Sequence, residues 1–236
     1  MSKPLSKSQL HTQFRDLAAT TDGIDVDVYK RFDKDPFEPV LGLGPDDSRV
    51  GFFGRDPGRD EVQHGEPFIG AGGQLVRRAL YRALHDGKPL PDFDSSREIG
   101  RDFYWANTVP YKPVGNKAWS TKIKQSFQPT MARLLIENWR GEDIITLGRE
   151  AFLWFGLLQS REARDKLDAF WLHEHRFTES LRITLSAGDD ATIKRDFSLH
   201  PLPHPSPLNA TWYGRFPGLL DARLQQLKVK PGKLRV

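Results

Sequence analysis

The stretch RVGFFGRDPGRDEVQHGEPFIGAGGQ, residues 49–74, is the part of the sequence that indicates the fold most clearly. It begins with an apolar strand at 50–53, breaks at the loop GRDPG (54–58), and continues through a polar segment to the start of a helix. A residue that precedes proline is kept out of the helical conformation, so we expect Asp56 in extended chain at the strand tip. An open α/β sheet binds its ligand where such a glycine-rich loop follows a buried strand.

Strands and helices alternate along the rest of the chain. Further strand-like segments lie at 103–108, 143–147, 172–177, 181–185 and 196–202. Helical periodicity is present at 6–20, 73–85, 121–139, 150–158, 161–170 and 211–227. Three of the apolar strands run into polar loops marked by glycine or proline. The pattern predicts an α/β fold in three α/β/α layers around a largely parallel sheet.

The organisation of the chain indicates a single domain. We predict the domain at 49–228, an N-terminal helix and surface extension packed on it at 1–48, and a basic tail at 229–236. Segments 21–47 and 86–101 are rich in turn-forming residues and are expected to be loops. In the helix at 73–85, the arginines are expected to face solvent, namely Arg77, Arg78 and Arg82.

Composition excludes several kinds of chemistry. The 236 residues include no cysteine, which rules out disulfides, thiolate zinc sites, cysteine-bound iron–sulfur clusters and cysteine nucleophiles. A net charge of +4 permits a polyanionic partner such as DNA without requiring one. There is no apolar run of membrane-spanning length and no signal-peptide pattern, so we expect a cytoplasmic protein with no membrane partner.

Three polar residues, Asp56, Asn107 and His204, each follow a predicted strand. Taken singly, each is more often an ordinary turn or loop residue. Because parallel strands end at one edge of a sheet, however, the three are predicted to line a single cleft. A metal site at His173 and His175, which would share one face of a strand, is disfavoured because no further ligand completes the spacing.

Four segments together resemble the uracil-DNA glycosylase superfamily. They are GRDPG (54–58), GEPFIGAGGQL (65–75), WANTVPYKPVGN (105–116) and HPSPLNATWYGRF (204–216). The first three are similar to motifs of the superfamily's family 4, although the acid of the first is placed as in family 1. The fourth is close to the second active-site motif of family 1. The resemblance implies a central, mostly parallel four-stranded sheet and a DNA glycosylase that needs no metal or redox cofactor.

The sequence also departs from these families. Tyr111 stands where family 4 has a cysteine of its iron–sulfur cluster, and Arg55 stands where it has an acidic residue. Gly58 occupies the position at which family 1 carries a tyrosine that excludes the thymine methyl group. The preferred base therefore stays open among uracil, hypoxanthine, xanthine and a 5-substituted pyrimidine.

The resemblance also implies roles for individual residues. Asp56 would activate water and His204 would stabilise the charge of the leaving base. A base-binding pocket would be formed by Phe68, Asn107, Gly54, Arg55, Pro57 and Gly58. Leu208 would fill the gap left in the duplex by a flipped nucleotide. Contacts to the DNA backbone would come from Ser206, Gly72, Gly73, Gln74, Lys112, Asn116 and Arg215.

The partner implied is DNA that contains a deaminated base, bound by a monomer. A different class of function is a nucleic-acid-binding module that does not catalyse a reaction. Asp56 argues against that alternative, because its negative charge repels phosphate and would serve no purpose in binding alone.

Overall fold

The computed structural model describes residues 4–42 and 44–236. Within these ranges a five-stranded sheet has the order β2-β1-β3-β5-β4. Its strands are β1 (Val50–Gly54), β2 (Tyr104–Asn107), β3 (Asp143–Leu147), β4 (Leu181–Ala187) and β5 (Asp190–Leu202). Four strands are parallel, and β4 pairs antiparallel with β5 at one edge. The predicted α/β fold is confirmed, with five strands instead of four.

Helices cover both faces of this sheet. On one face lie α1 (Lys7–Ala19), α2 (Val26–Arg31), α6 (Thr121–Asn138), α7 (Arg149–Trp154) and α8 (Arg161–Leu172). The opposite face is covered by α4 (Ala71–Leu84), α5 (Phe93–Gly100) and α10 (Phe216–Gln226). Two short helices, α3 (Arg59–His64) and α9 (Ala210–Tyr213), lie in loops that follow strands. Among the described residues, no helix combines the length and apolarity that crossing a bilayer requires.

The interior strand β1 is buried on both sides, as expected for a parallel sheet between two helical layers. Phe53 packs into the apolar cluster that contains α1, α6, α7 and α8. Phe52 points to the other cluster and stacks on Trp105 with ring centroids 4.6 Å apart. These contacts hold the strand firmly beneath the loop that carries Asp56.

The N-terminal segment contributes to the first of these clusters. Helix α1 is capped by Ser6, whose hydroxyl accepts a hydrogen bond from the Gln9 amide. Phe14 is buried and its ring lies 6.4 Å from that of Phe127 on α6. The Tyr111 hydroxyl donates to the Phe37 carbonyl at 3.0 Å, so the extension also supports the segment after β2. The boundary at residue 48 stays a prediction.

The structure corrects five predictions about local structure. Helix α2 lies within 21–47, where a loop was expected, and the Asp25 carboxylate caps it by accepting from the Val28 amide. Helix α5 lies within 86–101, where a loop was also expected, and the Asp92 carboxylate caps it by accepting from the Ser95 amide at 2.8 Å. The segment 172–177 forms turns, so the predicted strand there is wrong. The helix predicted at 211–227 is divided into α9 and α10. Arg77 is fully buried, although it was expected to face solvent.

Candidate active site

A cleft of about 500 Å³ opens at the carboxyl ends of the parallel strands. Parallel strands all present this end to one rim, so residues far apart in sequence meet there. Of the residues singled out from the sequence, the cleft is lined by Gly54, Arg55, Asp56, Gly58, Phe68, Gly72, Gly73, Asn107, Asn116, His204 and Ser206. The four motifs thus come together in one place.

Asp56 follows β1 and is the buried acid of the cleft. Its side chain is 2 % exposed, and Oδ1 accepts a hydrogen bond from the Thr108 hydroxyl at 3.0 Å. Among the described residues, Oδ2 has no hydrogen-bond partner, which leaves it free to accept from water. Burial raises the pKa of Asp56 to about 6, against the opposing effects of Arg55 and Thr108. A carboxylate with this pKa is ionised at neutral pH yet basic enough to take a proton.

His204 faces the cleft from the loop after β5. Burial, together with the charge of Arg55, lowers the pKa of His204 to about 4, so the imidazole is neutral at pH 7. Its position depends on Gly148, which follows β3 with φ +94°. A Cβ at Gly148 would lie 3.0 Å from the Cβ of His204, closer than nearly all such contacts. A neutral imidazole held in this way can donate a hydrogen bond to a developing anion.

Asn107 ends β2 beside Gly54, with which it is paired in the sheet. Its Nδ2 donates to the Arg55 carbonyl at 2.6 Å, which fixes the orientation of the amide. Its Oδ1 is buried and has no hydrogen-bond partner in the described part of the chain. The side chain therefore keeps an acceptor and its second N–H for a ligand.

Phe68 is held in an uncommon conformation at the side of the cleft, with φ +55°. Its ring lies against the backbone of Gly54, where a Cβ would come within 2.5 Å of the ring, and 5.2 Å from the ring of Trp105. The guanidinium of Arg77 donates to the Phe68 carbonyl at 2.8 Å and to the Pro67 carbonyl at 3.0 Å. The backbone of Phe68 is thus held by Arg77, and its ring is held by Gly54 and Trp105.

Glu61 connects the two loops that carry Asp56 and Phe68. One carboxylate oxygen accepts from the Gly58 amide at 2.9 Å, and the other accepts from the Gly70 amide at 2.8 Å. The sequence motifs do not by themselves indicate a role for Glu61. The signal for its structural role is its position three residues after Gly58 at the start of a helix, where glutamate commonly bonds the capping residue's amide.

Two predicted contacts to the DNA backbone and one predicted base-binding residue do not line the cleft. The ammonium of Lys112 is buried and bonds to Asp25 at 2.7 Å, so it does not reach the surface. The Gln74 amide donates to the Ile69 carbonyl and the Ser96 hydroxyl, both at 3.0 Å, and so faces the protein interior. Pro57 is buried in the loop without lining the cleft.

Two other predicted contacts lie on the surface beyond the cleft. Leu208 is 96 % exposed, so its side chain is not part of the core. Arg215 is exposed and lies over the ring of Trp212, 5.7 Å from its centroid. Both remain accessible to a large ligand.

The structure also bears on the metal alternative. His173 and His175 lie in turns and not in a strand, with ring centroids 5.6 Å apart. Among residues 4–42 and 44–236, no group of three or more histidine or acidic side chains is arranged to hold a metal ion.

Comparison with known proteins places this geometry in a family. Residues 41–228 match the family model of the uracil DNA glycosylase superfamily. A type-4 uracil-DNA glycosylase of Archaeoglobus fulgidus is 31% identical over 112 residues, which is 48% of this chain and 49% of that protein. A type-4 uracil-DNA glycosylase of Saccharolobus solfataricus is also 31% identical over 112 residues, which is 48% of this chain and 46% of that protein. The alignments span about half the length of these curated relatives.

Proposed function

The chain belongs to the uracil DNA glycosylase superfamily, and we propose that it removes a deaminated base, uracil in the first place, from DNA. The reaction is hydrolysis of the N-glycosidic bond and leaves an abasic site. The observation that carries the proposal is the pairing of groups in one cleft. Asp56 has a pKa of about 6 and a free oxygen, and His204 has a pKa of about 4 and is neutral.

The base is bound in an extrahelical position, because its reacting bond is not accessible inside a duplex. It stacks on the ring of Phe68, a contact worth roughly 1–3 kcal/mol for an aromatic side chain. The free Oδ1 of Asn107 accepts from N3–H of uracil, and the second N–H of the same amide donates to O4. An amide is suited to this edge because uracil presents a donor beside an acceptor.

The glycosidic bond breaks with its electron pair going to the base, which becomes an anion, while the sugar becomes cationic. His204 donates a hydrogen bond to O2 of the departing base, where negative charge develops. Asp56 stabilises the cationic sugar and accepts a proton from the attacking water, whose oxygen forms the new bond to C1′. The proton on Asp56 balances the charge left on the base.

The DNA itself is held at the rim. The amides at the start of α4, at Gly72 and Gly73, together with Ser206, are placed for phosphate contacts. Leu208 projects from the same loop as His204 and occupies the space of the flipped nucleotide. Arg215 contacts the backbone further out. One chain carries all of these groups, so we propose that it acts as a monomer.

A wider range of bases is the second candidate, and Gly58 is the observation that favours it. Without a side chain at position 58, nothing on that residue excludes a substituent on the base. Hypoxanthine, xanthine and 5-substituted pyrimidines are therefore included in the test. A binding module without catalysis is disfavoured, because a buried carboxylate would weaken DNA binding without any benefit.

The test uses oligonucleotides that carry one uracil, hypoxanthine, xanthine or mismatched thymine, as single strands and as duplexes. Alkali treatment reveals abasic sites. We expect uracil to be released by the unaltered chain, and Asp56→Asn and His204→Ala to lose about 100-fold or more in single-turnover rate. Asp60→Asn, an acid of the same cleft, and His64→Ala serve as controls and are expected to retain activity. Release of no base from any strand would refute the proposed function.

A further inference from the structure

Arg55 introduces a positive charge into the cleft that Asp56 and His204 also line. Its Nε lies 3.7 Å from Oδ2 of Asp56, too far for a hydrogen bond but close enough for strong attraction. Its charge also contributes to lowering the pKa of His204. The side chain is 34% exposed, and it lines the cleft beside Asp56 and His204.

Most of the hydrogen-bonding capacity of Arg55 is uncommitted. One Nη2–H donates to the Asn116 carbonyl at 3.2 Å and anchors the guanidinium to the rim. Its Nε is buried and has no hydrogen-bond partner among the described residues. A guanidinium has five N–H donors in one plane, so donors remain for a ligand in the cleft. A buried donor of this kind is costly to leave unpaired, which itself points to a ligand.

The neighbouring charges are already balanced elsewhere. Lys124, whose charge reaches Asp56, forms an ion pair with Glu150. The Glu61 carboxylate is occupied by the amides of Gly58 and Gly70. Arg55 and Asp56 therefore form the charge pair that can respond to a reaction in the cleft.

We propose that Arg55 is a further catalytic group, whose guanidinium stabilises the negative charge that develops on the departing base. The inference rests on the proposed function. His204, being neutral, offers that anion one dipolar hydrogen bond, whereas Arg55 offers a full charge and a planar pair of donors.

The balance of charge through the reaction supports this role. Before the bond breaks, Asp56 is negative, Arg55 is positive and the base is neutral. After hydrolysis, the water proton is on Asp56 and the negative charge is on the base, while Arg55 is unchanged. The sum is zero in both states. Arg55 therefore attracts the Asp56 carboxylate before the reaction and the anionic base after it. No net charge is created in a poorly solvated site.

The test compares two leaving groups in the same oligonucleotide, uracil and 5-fluorouracil. Fluorine withdraws electrons, so the 5-fluorouracil anion is stable with less help from the protein. We expect Arg55→Gln to slow the single-turnover release of uracil by about 100-fold, the usual effect of removing one such donor, and that of 5-fluorouracil by a clearly smaller factor. Arg55→Lys keeps the positive charge but lacks the planar set of N–H donors. Its rate of uracil release should lie between those of the unaltered chain and Arg55→Gln. Arg59→Gln, at an exposed arginine of the same cleft, is the matched control and should release both bases normally.

Equal losses for the two bases, or a loss confined to KM, would overturn the proposal. A second measurement separates it from the proposed function. The pKa of the His204 imidazole is followed by NMR titration in the unaltered protein and in Arg55→Gln. It should rise when the guanidinium charge is removed, and an unchanged value would overturn the inference. If the unaltered protein releases no base at all, the proposed function fails, and this titration alone decides whether the charge of Arg55 acts in the cleft.

Discussion

Replacing Arg77 by methionine tests how the stacking residue of the cleft is supported. The Arg77 guanidinium is fully buried and donates to three backbone carbonyls, those of Phe68 at 2.8 Å, Ser96 at 2.6 Å and Pro67 at 3.0 Å. Methionine has a similar length and no donor, so the substitution removes these bonds while leaving most of the volume filled.

The expected loss of stability follows from the bonds that the variant lacks. Three hydrogen bonds from a charged donor, at about 2 kcal/mol each with the cost of desolvation included, contribute about 6 kcal/mol. The expected decrease in Tm is therefore about 12–24 °C for a chain of this size.

Thermal melting and single-turnover base release are the assays for this variant. Arg78→Met is the matched control, because Arg78 is the next residue of the same helix and is exposed. Arg77→Met should melt lower than Arg78→Met and should also release base about 10- to 100-fold more slowly, since Phe68 is no longer held in place. Equal Tm values for the two variants would refute the reasoning. Normal activity at lowered stability would show that Arg77 supports the fold but not Phe68.

Four further predictions concern the cleft and the surface beside it. Glu61→Gln keeps the shape of the side chain but turns an NH2 group toward one of the two amides, so base release should fall about 10- to 100-fold, whereas exposed Glu98→Gln should have no effect. Full activity of Glu61→Gln would contradict the assigned role. Base release should decline as pH falls through about 6, the pKa of Asp56, and a rate that stays constant between about pH 5 and 8 would count against water activation by Asp56. Because the folded-state pKa of Asp56 is raised, unfolding free energy should increase as pH falls through about 6, and Asp56→Asn should lack that increase in melting experiments. Leu208→Ala should slow release from duplexes more than from single strands, with Leu172→Ala, 82% exposed, as control; equal losses would argue against insertion into the duplex.

The meeting of Asp56, Asn107 and His204 was predictable from the sequence for a physical reason. Each follows an apolar segment, and parallel strands present their carboxyl ends to one rim. The boundaries of β3 also match the strand predicted at 143–147, a mainly apolar segment rich in β-branched residues. Continuous apolar segments indicate strands covered on both faces, and this pattern needs no knowledge of distant contacts.

Buried cations were not predictable in the same way. Arg77 lies on the same helical stripe as Gly73, Val76 and Leu80, so its spacing indicated burial, but its charge indicated solvent. The partners that make burial possible are carbonyls at 67, 68 and 96, which are remote in sequence. Lys112 is a similar case, because its partner Asp25 lies in a segment expected to be a surface loop.

Other errors have local causes. The Asp92 side chain caps α5, but the turn-forming residues around it outweighed that single signal. The segment 172–177 is bounded by Leu172 and Phe177 with polar residues between them, which does not distinguish a strand from a turn. In the structure the Phe177 ring packs edge-on against Trp212, with ring centroids 4.9 Å apart.

The contact between Glu61 and the amide of Gly58 limits how this cleft can be re-engineered. A Cβ at position 58 would lie 2.8 Å from Oε2 of Glu61, so any larger side chain there must displace that carboxylate. A library that varies position 58 alone, in search of a narrower base preference, will therefore also disturb the hydrogen bonds that Glu61 accepts from the amides of Gly58 and Gly70. Varying positions 58 and 61 as a pair allows a replacement at 61 that still accepts from the Gly70 amide. A change at position 58 that alters discrimination between bases therefore also alters the alignment of the two loops that Glu61 connects.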